Sequence, residues 1–149
     1  MKPSYEHSQI GYLTITAIGA ALLYVIYLAV VSEFNWVTLI IILILGVSLL
    51  IFATLKVTIS DDLLDIRFGI GFIRKRIPLK DIQSAEVIQY PWYNGWGLRI
   101  SLRGEWIYSV SGLRAFRIVT KSGGKYIIGT DEPEELASAV QKSAELSRE

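Results

Sequence analysis

The apolar and polar positions of this chain fall into three successive patterns. Residues 10–31 carry no charge, Ser32-Glu33-Phe34-Asn35-Trp36 interrupts the run, and residues 37–55 are apolar again apart from Thr38, Ser48 and Thr54. Each run has about the 20 residues an α-helix needs to cross a roughly 30 Å hydrocarbon core. A single crossing must be helical, because lipid offers the backbone no hydrogen-bond partner. The connector permits only an antiparallel turn, so the pattern predicts a transmembrane helical hairpin over 10–55, with spans 10–31 and 37–55. A signal peptide fits less well, since its apolar stretch is usually about 7–15 residues. A core helix at a protein surface would show a polar stripe, and Leu39-Ile40-Ile41-Ile42-Leu43-Ile44-Leu45 has none. Residues 1–9 read as a short polar tail, with His7 as a solvated or headgroup-level side chain.

From Lys56 the period changes to two. Leu64, Ile66 and Phe68 alternate with Asp65 and Arg67, the mark of a half-buried strand. Strands are expected over 56–60, 63–68, 72–77, 84–89, 97–102, 105–110, 115–120 and 125–128. Turn residues separate them: Asp61-Asp62, Gly69-Ile70-Gly71, and Ser122-Gly123-Gly124, where glycine supplies the positive φ a hairpin needs. Short strands at this spacing predict an antiparallel meander or barrel. The third pattern is helical. Asp131 and Glu134 fit a capping box, Pro133 and Glu135 fit the first turn, and Leu136, Ala139, Val140 and Ala144 form one apolar stripe. A helix over 131–147 should cap an open end or face of the sheets.

Charge orients the whole. The hairpin turn holds Glu33 and no Lys or Arg, while Lys2 precedes the first span and Lys56, Arg67, Arg74, Lys75, Arg76 and Lys80 follow the second. The positive-inside bias then places both termini in the cytoplasm and the turn outside a multi-pass protein of the cell membrane. Residues 56–130 hold twelve Lys or Arg against six Asp or Glu, so the β-rich body is basic and suits the anionic cytoplasmic leaflet. The net charge of the whole chain is only +1, which gives no argument for nucleic acid. Neither span contains a charge, and a transport pathway normally requires one. Ala17, Gly19, Ala20, Ala21 and Gly46 are small residues that would pack the two spans together or, alternatively, form a homo-oligomer.

Little catalytic chemistry is legible. There is no cysteine, hence no disulfide and no thiolate nucleophile or metal ligand, and one histidine cannot build a triad with a partner base. Gly69-Ile70-Gly71 lacks the third glycine of a dinucleotide fingerprint and reads as a strand-to-strand turn. Asp61, Asp62 and Asp65 lack the glycine and terminal glutamate of a calcium loop and read as solvated acids. No cofactor, metal or catalytic residue is expected. Two stretches stand out as binding candidates: the basic triplet Arg74, Lys75 and Arg76, and the aromatic loop Tyr90-Pro91-Trp92-Tyr93-Asn94-Gly95-Trp96. Trp92, Tyr93 and Trp96 suit the headgroup level of a membrane or a docking surface for a peptide; the bland alternative folds the rings into the core.

Several strings resemble those of bacterial pleckstrin-homology-like membrane proteins: Arg76-Ile77-Pro78-Leu79-Lys80-Asp81-Ile82, Gly95-Trp96-Gly97-Leu98-Arg99, Tyr108-Ser109-Val110-Ser111-Gly112, and Ile128-Gly129-Thr130-Asp131-Glu132-Pro133-Glu134-Glu135-Leu136. The resemblance covers about 56–143. It implies an α+β membrane protein in which the hairpin precedes a cytoplasmic pleckstrin-homology-like barrel or sandwich over 56–149, closed by one helix. The two spans, the basic β-body and the absence of a catalytic set lead to the expectation of a membrane-anchored binding or scaffolding module rather than an enzyme, with the bilayer, anionic headgroups or another membrane protein as partner. The resemblance carries over no catalytic residue. The alternative is an accessory subunit of a larger membrane complex, recognised through its helices.

Overall fold

A computed structural model describes residues 4–146 except Asp61, Trp92, Asn94, Trp96 and Ser111, and except the side chains of Ala144 and Leu146. The chain is α+β. Its elements in order are β1 (Tyr5–Ile10), α1 (Tyr12–Val31), α2 (Trp36–Phe52), β2 (Thr54–Ser60), β3 (Leu63–Phe68), β4 (Ile73–Pro78), a 3-10 turn (Leu79–Asp81), β5 (Ile82–Gln89), β6 (Gly97–Ile100), β7 (Trp106–Ser109), β8 (Arg114–Thr120), β9 (Lys125–Gly129) and α3 (Pro133–Leu146).

The first sheet has the order β1-β2-β3-β4, every pair antiparallel. This is the expected meander, with one strand more than expected. Residues 1–9 are not simply a tail: Tyr5–Ile10 pairs with β2 along its whole length. The helices are thus inserted between two paired strands, and the β-rich body draws on chain from both sides of them. The second sheet has the order β5-β8-β9-β7-β6, and β7 runs parallel to β9. That pairing departs from the expected meander, because β9 returns to the centre of the sheet between β8 and β7. Both sheets are open.

One core lies between the sheets. Leu55, Val57 and Ile59 of β2, Leu64, Ile66 and Phe68 of β3, Phe116 and Ile118 of β8 and Ile128 of β9 form it together. Period-two alternation sends these residues inward and their neighbours to the outer faces. Leu136 and Val140 of α3 join the same core, and α3 lies over β5, β8 and the 3-10 turn. The helix begins at Pro133 rather than 131, in keeping with proline's place at a first helical position.

The two apolar helices are built differently. Neither contains a fully buried residue. Half-buried positions recur at Ile15, Ile18, Leu22, Val25 and Ala29 on α1 and at Ile42, Leu45 and Leu49 on α2, the alternating spacing of three and four that makes a helix–helix seam. Large aliphatic residues therefore fill much of the seam. Ala17, Ala20 and Ala21 are exposed, and a Cβ placed on Gly19 or Gly46 would meet nothing within 4 Å. The small-residue cluster is not what packs these helices. By length and composition α1 can cross a membrane; α2, at 17 residues, is shorter.

No linker separates helices from sheets. The Gly11 amide donates to the Ala53 carbonyl at 2.8 Å, joining the two roots. A Cβ on Gly11 would press on Val110, and Thr14 Oγ1 donates to the Val110 carbonyl at 3.1 Å, so the end of β7 abuts the start of α1. The apolar run to Leu55 overshoots the helix, since Leu55 belongs to β2 and is buried in the core.

Candidate functional site

Strand alternation divides the basic triplet. Arg74 and Arg76 lie on the outer face of the first sheet, while Lys75 points the other way and places its Nζ 5.2 Å from the centre of the Tyr126 ring on β9. Such a cation–π contact ties the amine to the second sheet. In exchange the outer face gains residues from other strands. Register sets Lys56 opposite Arg67, Arg67 opposite Arg74, and Asp65 opposite Arg76. The basic surface is therefore Lys56, Arg67, Arg74 and Arg76.

Asp65 sits at its centre and is buried, not a solvated acid. Arg67 Nη2 and Arg74 Nη2 each donate to Asp65 Oδ2 at 2.6 Å, and Arg74 Nε donates to Oδ1 at 2.7 Å. Burial pushes the carboxyl up, but the hydrogen bonds and charges of Arg74 and Arg67 outweigh it and hold Asp65 below the ordinary carboxylate range. The same hydrogen bond raises Arg74 against a smaller effect of desolvation. Lys56 Nζ meets Glu6 Oε1 at 2.7 Å, whereas Arg76 forms no ion pair among the described residues.

The aromatic loop divides as well. Tyr90 is core: it is buried with Ile107, Ala115 and Ile127, a small second cluster on the far side of the second sheet, and its hydroxyl donates to the Gly95 carbonyl at 3.2 Å. Tyr93 is 72% exposed. Trp92 and Trp96 lie outside the described residues. Tyr93 belongs with the second sheet and the triplet with the first, so Tyr93 and the triplet lie on separate surfaces. They do share an end of the body. The loop joins the ends of β5 and β6 where Gly97 pairs with Ser109, next to the Val110 that contacts α1.

Beside the loop the second sheet carries a cleft of about 490 Å³, lined by Tyr90, Tyr93, Arg99, Arg103, Glu105 and Arg117 among others. Arg117 is neutralised in place, with Nη1 3.1 Å from Glu86 and Nε 3.2 Å from the buried Glu105. Arg99 and Arg103 form no ion pair among the described residues. The cleft can accept a group that sets negative charge against these two arginines and apolar surface against the tyrosines. Its residues come from all five strands of the second sheet, β5 to β9, and from loops between them, so no local motif announced it.

His7 also differs from expectation. Nε2 lies 2.8 Å from Asp131 Oδ1 and Nδ1 lies 3.1 Å from Glu132 Oε2, which fastens β1 to the start of α3. Tyr5 on the same strand has its hydroxyl pushed up to about 12, by burial and then by the charges of Glu132, Glu135 and Asp131. These contacts are structural clasps between the first strand and the last helix. Among the described residues no group of three His, Asp or Glu is placed to hold a metal ion. No protein-family model matches the chain, and no curated protein or solved structure matches it either.

Proposed function

We propose that the chain is a membrane-anchored binding or scaffolding module of pleckstrin-homology-like kind, held at the cytoplasmic face of the cell membrane by α1 and α2 as a two-pass hairpin, and without catalytic activity. One observation carries it. Both helices expose aliphatic side chains on every face outside their shared seam, and each joins β1 or β2 through a single residue, Gly11 or Ala53. Such helices find an apolar partner in lipid, and the absence of a linker would hold the β-rich body against the headgroups. The orientation rests on the charge bias: Glu33 in the turn, and Lys56, Arg67, Arg74 and Arg76 on the body. Two sheets enclosing one core under a C-terminal helix support the pleckstrin-homology-like part of the reading, which the parallel β7–β9 pair departs from. Anionic headgroups would meet the outer face of the first sheet, and an acidic, partly apolar segment of another membrane protein would fit the cleft at Arg99 and Arg103.

Single cysteines at Ser32 and Ser122 test the arrangement, since the chain has none of its own. In intact cells an impermeant thiol reagent should label position 32 and spare 122 until the cells are opened. Labelling of 122 alone reverses the orientation, and equal labelling of both removes the two-pass reading.

A second reading, an accessory subunit recognised through its helices, is favoured by the exposed Ala17, Ala20 and Ala21, which lie off the α1–α2 seam and would let another helix approach closely. A complex that survives detergent, is lost with Ala20→Leu and is kept with Arg99→Gln and Arg103→Gln would establish this reading over the first.

A further inference from the structure

We propose that the β3–β4 turn is a lipid wedge: Ile70 and Phe72 enter the acyl–headgroup boundary of the same leaflet into which α2 runs, and they fix the depth and tilt of the β-rich body. The inference rests on the membrane-anchored reading and names a contact which that reading does not require.

The turn is where the register puts it. Leu55 pairs with Phe68 and Phe68 with Ile73, so the turn between β3 and β4 sits at the end of the sheet where β2 leaves α2. It is pressed against that helix. The Gly69 amide donates to the Thr54 carbonyl at 2.8 Å, and a Cβ on Gly69 would collide with the carbonyl oxygens of Leu50 and Ile51 in the last turn of α2. With φ at +50°, Gly69 also occupies a conformation that other residues adopt only at a cost. Phe68 and Phe52 meet edge to face at 5.6 Å and complete the joint.

A turn held this firmly would normally end in polar residues. This one presents Ile70 at 71% and Phe72 at 77% exposure. They adjoin the last turn of α2 through Gly69, whose Cβ would meet the Leu50 carbonyl oxygen, and Leu50 is itself 60% exposed. Two features select lipid as the occupant. The first is this adjacency to a helix that is itself apolar on every side. The second is charge: Arg67 and Arg74, the register pair next to the turn, lie on the outer face with Lys56 and Arg76, against Glu6 and Asp65 among the described residues. An apolar tip backed by cations matches an anionic leaflet.

The test uses the full chain in bilayers of phosphatidylcholine with one quarter phosphatidylglycerol. Single cysteines at Ile70, Phe72, Leu23 and Ser122 carry a nitroxide, and collision is measured with oxygen, which partitions into lipid, and with a water-soluble nickel chelate. Both turn positions are exposed, so the substitutions leave the core intact. The expected result is an oxygen-to-nickel ratio at 70 and 72 several-fold above that at 122 and approaching that at Leu23. Nickel accessibility at 70 and 72 equal to that at 122, with Leu23 still in lipid, overturns the wedge and leaves the anchored reading standing. Protection of 70 and 72 from both reagents means a protein covers the turn and also overturns it. A water-exposed Leu23 overturns the anchored reading and the wedge with it.

Discussion

The apolar helices and the C-terminal helix solve one problem in opposite ways. An α-helix must bring its apolar side chains out of water, and α3 does so inside the protein. Leu136 and Val140 are buried in the sheet core, while Glu134, Glu135, Gln141 and Lys142 face outward. In α1 and α2 no face is polar and no residue is fully buried, although the two share a seam. Amphipathicity marks a helix whose partner is a sheet, and its absence marks one whose remaining surface needs another apolar medium. The pattern around a helix, more than its total hydrophobicity, says where its partner lies.

The sharpest way to break this comparison is at the buried end. Leu136→Asp removes a leucine that is 0% exposed and puts a carboxylate in its place. The cavity and lost transfer energy alone cost about 2–5 kcal/mol, and an unpaired buried carboxylate adds to that. A typical domain has about 5–15 kcal/mol in total. In detergent the full chain should lose cooperative melting of its β-rich body. Unchanged melting would mean that α3 does not depend on the core.

The exposed ends sharpen it. Leu23 is 69% exposed near the middle of α1, and Gln141 is exposed on α3. If α1 lies in lipid, Leu23→Arg costs about 2.5–3.5 kcal/mol at the centre of a span and lowers membrane insertion accordingly. Gln141→Arg, at an exposed helical position in water, should fall within about 0.5 kcal/mol of no effect. Equal, small effects at both sites would place α1 in water and dissolve the contrast.

How legible each part was follows from how local its signal is. The helices stood out because an uncharged run of 20 residues needs no partner to be recognised, but the run swallowed Leu55, which belongs to β2. Strand β3 was legible because inward Leu64, Ile66 and Phe68 alternate with polar neighbours. Strand β1 was not: its half-buried or buried positions are Tyr5, His7 and Gln9, so alternation is there but hydrophobicity is not, and its partner β2 lies beyond two helices. Arg74, Lys75 and Arg76 looked like one site because they are adjacent, which in a strand sets neighbours on opposite faces. The cleft residues Arg99, Arg103 and Arg117 looked like nothing because each stands alone in its segment. Parallel pairing of β7 with β9 left no trace in either strand.

The smallest effect concerns how the two outer surfaces hold charge. The first sheet buries its acid, Asp65, between two arginines, while in the second Arg99 and Arg103 stay unpaired among the described residues. Because Asp65 titrates below its ordinary value in the folded protein, its contribution to stability is complete above the unfolded carboxylate value of about 3.9 and is lost as pH falls through the folded one. Asp65→Asn keeps the shape and deletes the charge. The arginines it releases are partly exposed, with side chains 42% and 35% accessible, and can turn to water, so the penalty stays below that of either substitution with a large expected effect. The variant should therefore melt a little below the wild-type chain at pH 7, and the gap should close as pH is lowered past 4 toward 2. A gap that holds at all pH values would show that Asp65 acts through its hydrogen-bond geometry alone. A gap that widens at low pH would reverse the sign of the linkage and show that burial, not the arginines, governs the carboxyl.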